Sequence, residues 1–137
     1  MPLDPQEMIV NVEKLDWMPL GEGAWGKVLR VCAETGSWTV MLKQEKGSFV
    51  PPHKHLGPAD FYVLSGCVEY RGGVARAGDF AREPLGAVHE RTSFPEDTIY
   101  LFTAYGPIAL YDPEGNILFV TDAEAMQGLL DAQNSTA

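Results

Sequence analysis

Between residues 24 and 121 the chain alternates short apolar-rich runs with clusters of turn residues. The runs are "AWGKVLRVCAE", "SWTVMLKQE", "FYVLSG", "CVEYRGG", "AVHERTS", "DTIYLFTAY", "PIALYD" and "NILFVTD". They are rich in Val, Ile, Leu and aromatic residues, and no long helical period competes with a strand reading before residue 120. Breakers fall where hairpins need them: "ETGS" at 34–37, "RGG" at 71–73, "AGD" at 77–79 and "DPEGN" at 112–116. Many short strands at even spacing predict an all-β domain, an antiparallel sandwich or barrel.

The C-terminal end has a different period. Thr121 followed by Glu124 forms a capping-box pattern, and Met126, Leu129 and Leu130 follow at helical spacing. These predict a short helix over about 122–131 that lays its apolar stripe on the β-domain, with "QNSTA" as a disordered tail. The expected division is therefore an N-terminal extended segment over 1–23, packing on the barrel or on a partner, a barrel over 24–121, and a helix and tail over 122–137.

With 137 residues the chain is sized for one domain with a proper core. No run approaches a membrane span, and "MPLDPQEMIVNVEKLDW" lacks the basic and apolar regions of a signal peptide, so a cytoplasmic protein without membrane contact is expected. The formal net charge of -9 argues against a nucleic-acid partner, because that affinity rests on cationic contacts to phosphate. Cys32 and Cys67 are too few for a disulfide scaffold and read as core thiols. Trp17, Trp25 and Trp38 read as core or interface anchors, and Tyr62 and Tyr70 as packing or interface residues.

Chemistry enters with the three histidines. His53 and His55 are two apart at a strand start, in "GSFVPPHKHLGPADFYVLSG", so alternation sends both to one face. His89 lies in "GDFAREPLGAVHERTS", after a turn made by Pro84 and Gly86, where the next strand opens. All three at strand starts, with none to spare, point to a metal held inside the barrel.

These two segments resemble the paired motifs of the cupin superfamily. Gly47, His53, His55 and Gly66 fit the first motif, G-x5-H-x-H-x3,4-E-x6-G. Gly78, Pro84, Gly86 and His89 fit the second, G-x5-P-x-G-x2-H-x3-N, with Ser93 in place of the final Asn. The resemblance implies a double-stranded β-helix, or jelly roll, over about residues 24 to 120. One departure stands out: counting back from Gly66, the ligand glutamate falls on Ala59. Asp60 is adjacent, yet alternation turns it to the opposite face, and only a bulge would bring it in as an extra ligand. The alternative is a site of three histidines, as in the ChrR-like and acetylacetone-cleaving dioxygenase group. Trp17, "TVMLKQEKGSFVPPHKH", "AGDFAREPLGAVHE" and "YDPEGNILF" resemble that group as well.

Three neutral imidazoles leave a divalent ion its full charge, which favours a bidentate anionic ligand such as the enolate of a β-diketone or α-hydroxyketone. The resemblance then implies Fe(II), with Zn(II) or Ni(II) able to occupy the same nitrogens on purification. Its implied activity is C–C bond cleavage with O2. Glu83 and Arg71 are expected to assist substrate, Thr92 to add a hydrogen bond, and Ala59, Phe61 and Val63 to line an apolar pocket. Two other readings accompany this one: a metal-binding cupin with a ligand-sensing or regulatory role and no catalysis, and an epimerase-like cupin. The last needs a general base, for which no histidine is left over. A homodimer or homotetramer is expected, the segment "MIVNVEKLDWMPL" being the candidate contact.

Overall fold

A computed structural model describes residues 8–86, 88, 89 and 91–135, and for His89 it describes the backbone alone. Among the described residues the strands are β1 (Met18–Gly21), β2 (Ala24–Cys32), β3 (Ser37–Gln44), β4 (Phe49–Val50), β5 (His53–His55), β6 (Ala59–Ser65) and β7 (Cys67–Tyr70). They continue with β8 (Gly73–Arg76), β9 (Phe80–Glu83), β10 (Val88–His89), β11 (Thr92–Ser93), β12 (Thr98–Ala104), β13 (Ile108–Tyr111) and β14 (Ile117–Thr121), and the chain closes with helix α1 (Ala123–Ser135). The run "AVHERTS", read as one strand, is divided between β10 and β11.

Three antiparallel sheets result, with orders β1-β2-β3-β12-β6-β9, β10-β5-β13-β14 and β4-β11-β7-β8. The crossovers between sequence-distant strands give the all-β jelly roll that the punctuation and motifs foretold. Alternation sets the interior. Along β12, Thr98, Tyr100, Phe102 and Ala104 are buried while the residues between them are half-buried. Register then stacks Phe61, Phe102, Val40 and Val28 in one row across the first sheet, and Ala59, Ala104 and Trp38 in the next. These rows, with Phe94, Val68 and Met126 of α1, form the core.

Gly66 shows why the first motif ends in glycine. It turns β6 into β7 at φ +87°, and a Cβ there would collide with the Asp97 carbonyl and Thr98 Oγ1. The turn holds Thr98, fully buried, whose Oγ1 accepts from Cys67 N at 3.0 Å.

The N-terminal segment lies on the outer face of β2 and β3. Lys27 and Lys43 each place Nζ 4.6 Å from the Trp17 ring centroid, and Lys27 Nζ donates to the Val12 carbonyl at 2.9 Å. Trp38 alone of the tryptophans is fully enclosed, at 1% exposure.

Three expectations need correction. The helix cap is Asp122, whose Oδ1 accepts from Ala125 N at 2.8 Å, and Thr121 instead ends β14. The helix also runs past 131, because "QNS" is not a tail: Gln133 is buried, and its amide accepts from Val28 N at 2.8 Å and donates to Val28 O at 3.0 Å. That grip sits beside the register shift between Val28 and Arg30, where the β2–β3 ladder is irregular. Finally, Cys67 is a core thiol but Cys32 is only half-buried, and hydrogen bonds from Thr35 hold its thiol below the usual value. No helix among the described residues is long and apolar enough to cross a membrane.

Candidate metal centre

Strand β5 supplies the first two histidines. Its alternation buries His53 and His55 and leaves Lys54 half-buried between them. The imidazole centroids lie 5.1 Å apart, with the rings at 68°. His53 Nδ1 is 2.9 Å from the Pro51 carbonyl oxygen. A carbonyl only accepts, so Nδ1 carries the proton and Nε2 carries the lone pair that a metal ligand needs.

A carboxylate converges on the same point. Glu83, 6% exposed, meets His55, its Oε2 set against the imidazole Nε2. One ligand atom from each of His53, His55 and Glu83 lies within 4.8 Å of the others, all three buried. The donor set of two imidazoles and a carboxylate suits a divalent transition metal, so these residues fit such an ion.

Register explains where this carboxylate comes from. Ala59, at the motif position where a glutamate is customary, pairs directly with Glu83 across β6 and β9. Cross-strand partners share a face and approach within about 5 Å at Cβ. The methyl of Ala59 leaves room, and the opposite strand fills it. Glu83 was read from the sequence as a supporting group. Its place next to Pro84 and the His89 strand already suggests an acceptor for a ligand imidazole, whereas its position opposite Ala59 is hidden because the β6–β9 register is non-local.

The remaining site residues distribute as follows. His89 pairs with His53 by backbone register, β10 against β5, and its side chain lies outside the described residues. Asp60 is half-buried, pairs with Arg82 and Thr103, and is not part of the ligand-distance group. Ala59 and Val63 are fully buried but do not line the cavity, whereas Phe61 does. Thr92 is buried and lines it too. Arg71 is exposed and lines a smaller cavity of about 410 Å³, shared with Tyr70, Arg82, Glu83, Pro84 and Val88.

The main cavity, about 960 Å³, is reached by His53 and Glu83 on one side and extends under α1, where Met126 and Leu129 line it. Two phenols share it with the carboxylate. Burial, and then the Glu83 charge, push both Tyr70 and Tyr100 above the ordinary tyrosine value of 10.0, and Tyr100 far above it. Tyr70, taken from the sequence as a packing residue, does pack, edge-on to Phe61 at 5.7 Å, but it also borders both cavities. The sequence carried a signal for Tyr100, since it shares strand parity with Phe102.

A jelly roll that gathers histidines from a short strand into its interior is a cupin. More narrowly, this chain belongs to the ChrR cupin-like domain family, which matches residues 5–109. It is 29% identical over 143 aligned residues to the acetylacetone-cleaving enzyme of Acinetobacter johnsonii, covering 96% of this chain and 94% of that one. The crystal structure of an acetylacetone dioxygenase from Acinetobacter johnsonii superposes with a TM-score of 0.88 at 27% identity, covering 97% of each chain. A candidate acetylacetone dioxygenase from Methylibium petroleiphilum PM1 gives the same TM-score at 28% identity, covering 95% of this chain and 98% of that one.

Proposed function

We propose that this chain is a metal-dependent cupin dioxygenase that takes up a β-diketone or hydroxyketone as its chelating enolate and cleaves a C–C bond with O2. His53, His55 and His89 would hold the metal, Fe(II) in the working enzyme. An Fe(II) held there would supply Lewis acidity toward an enolate and the redox capacity that O2 chemistry needs. Supporting the reading above all is the convergence of His53, His55 and Glu83 at the wall of a large, mainly apolar cavity.

The chain's own residues do the rest. The Pro51 carbonyl fixes the His53 tautomer and so the orientation of its ring. Glu83 accepts the proton released when a diketone or hydroxyketone becomes its enolate, a base being needed within hydrogen-bond reach of that proton. Arg71, across the smaller cavity from it, steadies the carboxylate or an approaching anion. Thr92 offers a hydroxyl to the substrate, and Phe61 with Phe102 excludes water from the reacting atoms.

The test is to load apoprotein with Fe(II) anaerobically and follow oxygen uptake with a panel of β-diketones and hydroxyketones. Uptake with cleaved products, lost in Zn(II)-loaded protein and in His89→Ala, is expected. Stoichiometric metal with no uptake on any candidate would instead make the chain a ligand-sensing cupin.

A further inference from the structure

The cavity is too large, and too polar at one place, for a small chelating diketone alone. Its volume of about 960 Å³ lies at the upper end of the roughly 300–1,000 Å³ that enclose drug-sized ligands. Most of its wall is apolar, including Val40, Leu42, Phe61, Phe102, Leu110 and Met126. Against that background, and besides His53, Glu83 and Thr92, two further polar side chains are buried in the same wall: Gln44 at 4% exposure and Tyr100 at 5%.

Both are held in fixed orientations. The Tyr100 ring lies edge-on to Phe61 and stacked on Phe94, each at 5.7 Å between centroids. Gln44 Oε1 accepts from Ser48 Oγ at 3.0 Å, which turns its amide nitrogen to the other side. Tyr100 is the diagonal neighbour of Gln44 on the same face, since Gln44 pairs with Thr98 and Leu42 with Tyr100 across β3 and β12, and from there the amide acts on the phenol as a hydrogen-bond donor. A phenol that accepts from an amide still has its own O–H to donate. The relay from Ser48 through Gln44 therefore presents Tyr100 to the cavity as a donor.

The donor is set apart from the metal centre. Tyr100 pairs with Val63 on β6, and Glu83 pairs with Ala59 on the same strand. Four residues of strand separate the two backbone positions, about 13 Å at the usual rise, and both side chains turn into the one cavity, whose wall includes Phe61 and Phe102. A ligand that fills it has a chelating head, an apolar arm and a polar group further along.

We propose that Tyr100 and Gln44 form a hydrogen-bonding subsite that selects chelating substrates bearing a further carbonyl or hydroxyl oxygen on an apolar arm. This rests on the enolate-binding reading above and names the substrate class within it. Tyr100 is a specificity-determining residue here: a ligand lacking that oxygen leaves a buried donor without its acceptor, which lowers affinity without touching the chelate.

Binding to Zn(II)-loaded protein tests this apart from turnover. Two ligands with the same chelating head, nonane-2,4-dione and nonane-2,4,8-trione, are titrated calorimetrically into the wild type, Tyr100→Phe and Gln44→Met. The wild type should prefer the trione by roughly five- to tenfold. Tyr100→Phe keeps the ring stacking and should bring the ratio close to one through weaker trione binding, with the dione constant unchanged. Gln44→Met, which keeps the phenol but loses the amide that orients it, should lower the ratio in the same direction. The wild-type ratio stands on its own if a variant melts early. Equal affinity of the wild type for both ligands would overturn the subsite and leave the enolate reading intact. Failure to bind either ligand would remove both.

Discussion

At position 83 a carboxylate stands in the register slot opposite an alanine, and its chemistry is separable from its geometry. Glu83→Gln keeps size and hydrogen-bonding capacity but removes the base. Metal content, measured on the purified variant, should stay at the wild-type stoichiometry while substrate-dependent oxygen uptake falls by about a hundredfold or more. Metal lost together with activity would make the carboxylate a ligand instead of a proton acceptor. Tyr100 gives a pH prediction of definite sign. Its phenol is held above the unfolded value of 10.0, chiefly by burial. Below pH 10 folded and unfolded chains both keep this proton. Above it the unfolded chain ionises while Tyr100 stays neutral, so the folded state binds more protons and stability falls as pH rises toward the folded value. Denaturant midpoints taken from pH 9 to 11 should decline, and less steeply in Tyr100→Phe. An unchanged slope in that variant would count against a buried neutral phenol.

Among the elements, the strands were legible because glycine and proline mark turns by local backbone preference, and alternation then orders each strand's faces. His53 and His55 were legible for the same reason, as two residues on one strand face. The partner of Ala59 was not, since register between β6 and β9 is set by the whole sheet and leaves no local trace. The C-terminal helix shows the opposite failure. A polar "QNS" reads as tail, yet Gln133 is buried by the backbone of β2, a contact 105 residues away in sequence. Its amide replaces ladder bonds at an irregular point, so Gln133→Leu strands the Val28 N–H and C=O together. A loss of about 2–4 kcal/mol is expected for two buried groups without partners, read from urea denaturation. Gln127→Leu, on the exposed face of the same helix, should leave the midpoint nearly unchanged.

For the molecule as a whole, the metal centre and the fold are linked by mass action. The histidines proposed to hold the ion come from β5 and β10, far apart in sequence and paired in one sheet only when the chain is folded, so an ion bound there by the native chain alone would stabilise the jelly roll. Free metal at a hundred times its dissociation constant adds about 2.7 kcal/mol. Calorimetric scans should therefore show a melting temperature that climbs with free metal in the wild type and stays flat in His53→Ala. The grip of Gln133 on Val28 makes a local reporter available in the same molecule. An amide held by a side chain from a terminal helix, and not by a neighbouring strand, becomes open to solvent deuterium whenever that helix lifts. Its exchange rate against those of Val40 and Phe102 would tell the undocking of α1 apart from unfolding of the sheets. Because Met126 and Leu129 of that helix roof the cavity, the same signal would slow on ligand uptake, turning one backbone hydrogen into a gauge of occupancy.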